Sequence, residues 1–230
     1  RDQLPSETSL TTLLTLQDRI KTELPNKKDR HLYEAKFQFN PGNTPEIVQS
    51  PDVVDGYLFI SLDGKKIVQA RLDGFTFNKL KPYSNWEEFS KEALSLFQHY
   101  IDIAKPTYIT RLALRYINRI EIPLPLADFK EYILTVPEIA PNIPNGLAGF
   151  FTRLIVPNPE LEATAIITET LDDKVVTPNT VPFIFDIDVV KNVKLQPDIK
   201  QIIPLMNQLR DFKNQIFLNS ITAKGKELFK

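Results

Sequence analysis

Three arginines fall at every fourth position of one apolar segment, Arg111, Arg115 and Arg119. A guanidinium offers a planar fork of donors that matches a carboxylate or a phosphate. Near them stand Tyr116, which could stack on a planar ligand, and Asn118, which could donate and accept at once. Lys66 lies in a second basic stretch with Lys65, Arg71, Lys79 and Lys81, opposed there by Asp73 alone. A third group is acidic. Asp186 and Asp188 share one side of a strand, a spacing that could hold Mg²⁺ for phosphoryl chemistry. Their surroundings, residues 160–188, also carry Glu160, Glu162, Glu169, Asp172 and Asp173, against Lys174 alone.

Each cluster has a plainer reading. The arginines could be neutralised by Glu169, Asp186 or Asp188 across neighbouring strands, the ordinary way to finish a half-exposed sheet face. The alternative is an anion-binding groove for RNA, a phosphate-bearing ligand or an acidic partner surface. A formal charge of −1 for the whole chain gives no bulk attraction to a polyanion or an anionic membrane. The aromatics Phe75, Phe77, Tyr83, Trp86 and Tyr116 could form a base-stacking platform, but such residues more commonly cement strands to helices.

Other chemistries lack their residues. There is no cysteine, which removes disulfides, thiolate zinc sites and a cysteine nucleophile. His31 and His99 stand far apart without ligand spacing, so a histidine metal site is not expected. No phosphate-binding glycine loop or serine-nucleophile motif occurs, and the chain has only 7 glycines. No cofactor is expected. No apolar run nears the roughly 20 residues of a membrane span, and a cysteine-free chain without a signal-type opening reads as cytoplasmic.

The elements that would position these groups can be read from periodicity. The chain of 230 residues, 42% hydrophobic with 15 Phe, can bury a large core. Leu10, Leu13, Leu14, Leu16, Ile20 and Leu24 predict an amphipathic helix over 9–24, followed by a charged turn at Asn26–Arg30. Strands are expected at 31–40, with Tyr33, Ala35, Phe37 and Phe39 on one face, and at 57–62, 65–72 and 75–80. Residues 41–55 read as a loop, and Asp63-Gly64 as a type I′ hairpin turn. Ser84 and Glu87 have capping-box spacing ahead of a helix running to Ala104, which Lys105-Pro106 ends. The arginine strand then spans 107–122, with Leu112, Leu114, Tyr116, Ile120 and Ile122 on the side away from the arginines. A short helix at 126–134, a loop at 135–146, strands at 150–156, 161–171 and 181–190, and a helix over 198–220 complete the chain. Pro204 would kink that last helix or mark its start.

The order repeats. Residues 107–222 read strand, helix, three strands, long helix, and residues 9–104 read helix, three strands, long helix. The expected fold is α+β: one domain, 1–230, of two similar halves of antiparallel strands, each covered by a long helix in a saddle-like or helix-grip-like form. The chain opens at Arg1 and its single methionine is Met206, so the opening strand of the first half is expected to precede Arg1.

Several segments together resemble a known family. They are Phe75-Thr76-Phe77-Asn78-Lys79-Leu80, then Pro82-Tyr83 and Trp86, then Arg111-Leu112-Ala113-Leu114-Arg115-Tyr116-Ile117-Asn118-Arg119-Ile120, and finally Phe217 with Ile221-Thr222. The family is one of sporadically distributed prokaryotic proteins of unassigned function. Its members usually carry glycine where Ala113 stands and open with an Asn-Pro-rich apolar strand that is absent here. The resemblance implies no activity or cofactor. The scattered distribution is similar to that of mobile defence or toxin–antitoxin genes.

Three functions are therefore in view. The first is a non-catalytic module that binds a protein partner through a sheet face or groove. The second is a binder of nucleic acid or a phosphate ligand through Arg111, Arg115, Arg119 and Lys66. The third is a metal-dependent enzyme using Asp186 and Asp188. The sequence leaves oligomeric state and partner open.

Overall fold

The computed structural model describes residues 1–32, 52–138, 140, 148–174 and 176–229, and the backbone of 35–38 and 46–49. The protein is α+β, with antiparallel sheets and two long helices. The chain divides into two compact units, Arg1–Thr110 with Lys194–Ile199, and Arg111–Val193 with Lys200–Lys230.

In the first unit, β1 (Asp2–Gln3) precedes the short helices α1 (Leu10–Leu14) and α2 (Leu16–Ile20). The strands β2 (Asn26–Leu32), β3 (Ala35–Gln38), β4 (Glu46–Gln49), β5 (Val53–Ile60), β6 (Lys66–Arg71) and β7 (Gly74–Lys79) follow, then α3 (Trp86–Ala104). The sheet order is β2-β5-β6-β7, with β3 and β4 paired to each other. Alternation sends Tyr57, Phe59, Val68 and Ala70 to one side, where they pack with Leu13, Leu16, Ile20 and Leu24 and with Leu96, Tyr100 and Ala104 of α3. Phe75 packs on Phe97 and Tyr100, while Phe77, Tyr83 and Trp86 gather around Phe89. These four aromatics belong to strand–helix packing.

Strand β8 (Tyr108–Pro123) begins in the first unit, where Tyr108 and Ile109 pair with β1, and continues through the second. A one-turn 3-10 helix (Phe129–Glu131), β9 (Phe151–Asn158), β10 (Ala163–Leu171), β11 (Thr180–Leu195), α4 (Ile199–Ser220) and α5 (Ala223–Glu227) complete the chain. The strand order here is β8-β11-β10-β9. Phe183, Phe185, Ile187 and Val189 are wholly buried on one side of β11. Phe185 stacks on Phe217 of α4 with ring centroids 5.9 Å apart.

Several expectations need correction. Asn26–Arg30 is the start of edge strand β2 rather than a turn: Arg30 pairs with Asp55, and the Lys27 ammonium sits over the Tyr57 ring, so cross-strand partners absorb the charges that suggested a turn. The loop expected at 41–55 contains β4 and the first residues of β5. Tyr33 and Phe39, assigned to a strand face, lie outside the described residues, as does the side chain of Phe37. In the β5–β6 hairpin only Gly64 has positive φ, so the turn is not type I′. The Ser61 carbonyl instead accepts from the Gly64 N–H, and Asp63 accepts from Ser61 Oγ and the Lys65 N–H. The N-cap of α3 is Asn85, whose side chain accepts from the Glu88 N–H; Ser84 bonds the Glu88 carboxylate, one residue out of the expected capping-box register. The helix expected at 126–134 is reduced to the 3-10 turn. Helix α5, capped by Thr222, was not expected. Lys105 ends α3 in the left-handed conformation, and Pro204 lies inside α4 rather than at its start.

Candidate functional site

The candidate site is the open face of the second unit's sheet. Its side chains are chosen by parity. From Leu112 onward, the even-numbered residues of β8 turn inward, with Leu112, Leu114, Ile120 and Ile122 buried. Arg111, Ala113, Arg115, Ile117 and Arg119 therefore share the opposite face. On β11 the buried phenylalanines fix the other parity, which places Asp186 and Asp188 beside those arginines. Register continues the row: Asp186 is opposite Thr168, and Thr168 is opposite Arg153, while Asp188 is opposite Ile166 and Ile166 opposite Ile155.

The arginines are occupied within this face. Arg115 donates from Nε to Asp186 Oδ1 at 2.9 Å and Oδ2 at 3.1 Å, and from Nη2 to Oδ2. The carboxylate raises the Arg115 pKa above its ordinary value. Arg119 donates from Nε to Glu121 Oε1 at 2.7 Å, and from its two terminal nitrogens to Asp172 and to the Lys174 carbonyl. Burial raises the Asp188 pKa, opposed by the charges of Arg111 and Arg115. Both oxygens of Asp186 are engaged by a guanidinium, and burial disfavours the charged form of Asp188. Two carboxylates in that condition are poorly prepared to receive a divalent cation. Among the described residues no group of three or more potential ligands gathers at a metal-binding distance.

The residues named from the sequence do not all meet. Tyr116 and Asn118 have the opposite parity and face inward. The Asn118 amide donates to the Phe185 carbonyl at 3.0 Å, and the Lys213 ammonium stands 3.8 Å from the Tyr116 ring centroid. Lys66 belongs to the first unit, where it and Lys79 share the Glu92 carboxylate. Glu169, expected as a partner for the arginines, is instead cross-strand from Phe185 and wholly buried on the phenylalanine side. Thr135 donates to one of its oxygens, the other is buried without a partner, and burial raises its pKa. His31 pairs with Asp52 at 2.8 Å.

Two side chains escaped notice in the sequence. Arg153 ends the cross-strand row Asp186–Thr168–Arg153, whose Asp186 is bonded by Arg115, and has no carboxylate partner among the described residues. Its place on alternating β9 was the available signal. Lys213 is buried, and burial, with Arg210 beside it, lowers its pKa to about 8. It sits next to Phe212 on the apolar stripe of α4, a visible breach of that stripe.

The face also carries large apolar groups. Ile117 is 61% exposed, and Phe151 and Ile155 on β9 are 71% and 63% exposed. A mixed surface results, with neutralised ion pairs in the middle and aliphatic or aromatic side chains on both flanks. No protein-family model matches the chain, and neither the curated proteins nor the solved structures contain a match.

Proposed function

We propose that this chain is a non-catalytic binding module that recognises a protein partner through the open face of β8, β11, β10 and β9. The observation that carries this reading is the exposure of Ile117, Phe151 and Ile155 on a face where Arg115 and Arg119 are paired with carboxylates of their own neighbours. A polyanion would be met by unpaired positive charge. A protein interface calls for apolar anchors with a polar surround, and this face supplies both. The test is site-specific photo-crosslinking from position 117 in cells, compared with position 218 on the exposed side of α4. A discrete partner captured from position 117 alone supports the reading, and equal labelling from both positions opposes it.

A second reading has one observation in its favour. Arg115 is 57% exposed and bonds Asp186, whose cross-strand row runs through Thr168 to Arg153, so two guanidiniums belong to one face of the sheet. An extended phosphodiester could bridge them. RNA or DNA affinity that falls steeply with salt, and drops in Arg153→Ala, would favour this reading over the first.

The repeat of element order supports a related proposal, that the two halves descend from one duplicated unit of antiparallel strands with a long helix across them. In the second unit the opening strand β8 lies next to the last strand, β11. In the first, the Asp2 N–H of β1 donates to Asp73 beside the last strand, β7. The family resemblance, with its arginine-tyrosine-asparagine strand, carries no further function.

A further inference from the structure

We infer that β9 is a seam for a second copy of this chain, pairing antiparallel with its counterpart to make one continuous sheet across a two-fold axis. The inference goes beyond the partner face proposed above, which such pairing would leave open.

The argument begins with the edge. Among the described residues β9 pairs on one side only, with β10. Its outer backbone groups therefore form an open ladder, which an extended chain satisfies best. Natural edge strands usually blunt this hazard with charge, covering or an early proline. Here Pro157 comes near the end of the strand and Arg153 is its single charged residue. Between them Leu154, Ile155 and Val156 are 37%, 63% and 37% exposed, so both faces of the strand are apolar and open.

The inner face shows the same incompleteness. On β10 the inward residues Ala163, Ala165 and Ile167 are at most 5% exposed. Leu154 and Val156, their direct cross-strand neighbours, are far more exposed. Helix α4 stands beside the end of β9 across an open gap. The result is a groove of about 540 Å³ beside the end of β9, lined by Pro157, Ile167, Phe212, Gln215, Ile216 and Asn219. An added strand would lie against β9 and turn alternate side chains toward this helix wall.

A second copy suits the seam in three ways. A two-fold axis normal to the sheet keeps every side chain on its own face, so antiparallel pairing sets residues of equal parity opposite each other, and a register centred on Leu154 pairs the strand from Phe151 to Pro157. Leu154 then faces its own counterpart on the inner side and Arg153 faces the other copy's Ile155 on the open side, so no like charges are opposed. The formal charge of −1 gives no general repulsion between copies. The size is also sufficient. Eight residues extend about 27 Å, and a strand with its helix layer is about 20 Å thick. Pairing would bury roughly 500 Å² on each copy and about 1,000 Å² in all, the threshold of a specific interface. A two-fold axis closes both edges at once and leaves no growing end.

The test is the solution mass of the full chain, measured by light scattering after gel filtration from about 1 to 100 μM. Twice the chain mass is expected at the upper concentrations, and the Leu154→Lys/Ile155→Lys variant should run at the single mass with an unchanged circular dichroism spectrum. Both substitutions are at exposed positions, so folding should survive them. A second readout exploits the absence of cysteine: Ile155→Cys alone should crosslink to itself through a short bis-maleimide, while Leu62→Cys, on an exposed turn of the first unit, should not. A single mass throughout the range overturns the inference. So does a dimer that survives the double substitution, or a mass that climbs without limit.

Discussion

The Arg115 guanidinium meets Asp186 side-on, with Nε 2.9 Å from Oδ1 and Nη2 reaching Oδ2, and the two partners are unequally exposed. The Asp186 side chain is 11% exposed and that of Arg115 57%. Removing the arginine strands a nearly buried carboxylate, whereas removing the aspartate leaves a guanidinium that water can solvate. Arg115→Ala is therefore expected to cost about 2 kcal/mol and Asp186→Ala about 1 kcal/mol, below the range for fully buried pairs because solvent screens the exposed partner. Urea denaturation of both variants and of the double variant checks this. The double variant should lose less than the sum of the singles.

Lys213 should impose a pH dependence on stability. Burial lowers its pKa in the folded chain to about 8, below the value near 10.5 for the unfolded chain. Between the two values the unfolded chain binds the extra proton, so stability rises with pH from about 8 to about 10.5. Below pH 8 both states are protonated and the cost of burying the charge is fully present. Lys213→Met should be more stable than the parent at pH 7, and that advantage should shrink as pH rises through this window. Urea midpoints at pH 7, 8, 9 and 10 test both statements.

Glu169 gives the opposite sign. Burial raises its pKa above the ordinary carboxylate value. In the interval between the two the folded chain holds a proton that the unfolded chain has lost, so the Glu169 contribution falls as pH rises through its folded pKa. Glu169→Gln keeps an oxygen for the Thr135 hydroxyl and removes the charge. It is expected to gain about 1 kcal/mol at pH 7, with the gain disappearing as pH falls toward 4. Thermal melts across pH 4 to 7 would show the two curves converging.

Gly56 marks a close approach within the first unit's sheet. A methyl group there would come within 2.2 Å of the Ala70 carbonyl oxygen and 2.8 Å of the Arg71 Cα, both backbone atoms of β6. The strands would have to part, so Gly56→Ala should cost about 2 kcal/mol or more. A fall in melting temperature of roughly 4–8 °C is expected by calorimetry.

Much of the second unit's sheet was legible because alternation is a local signal. Leu112, Leu114, Ile120 and Ile122 named the inward side of β8, and that side is buried. The same parity placed Asp186 and Asp188 beside Arg111 and Arg115. Glu169 failed because its side is decided by register with Phe185, a long-range fact. Asn26–Arg30 failed for a related reason. Its charged residues have no local preference for a strand, and only Asp55 and Tyr57 on the neighbouring strand make one favourable. Tyr116 and Asn118 were grouped with the arginines by proximity in sequence, although a one-residue step in a strand reverses the face. Arg119 is neutralised by Glu121, two residues along the same strand face and legible by alternation, and by Asp172, more than 50 residues away, which no spacing rule reports.

Pro204 sits six residues into α4 and brings no N–H to the carbonyl four positions before it. The opening turn is thus joined to the rest of the helix by one rung fewer than any turn beyond it. Fraying that starts at Ile199 meets its weakest link there and a fully bonded helix past it. The proline works as a firebreak: the front of α4 can melt and re-form while Leu209, Phe212 and Phe217 stay docked. Deuterium uptake would then divide sharply at that ring, quick on the Ile199 side and slow on the other.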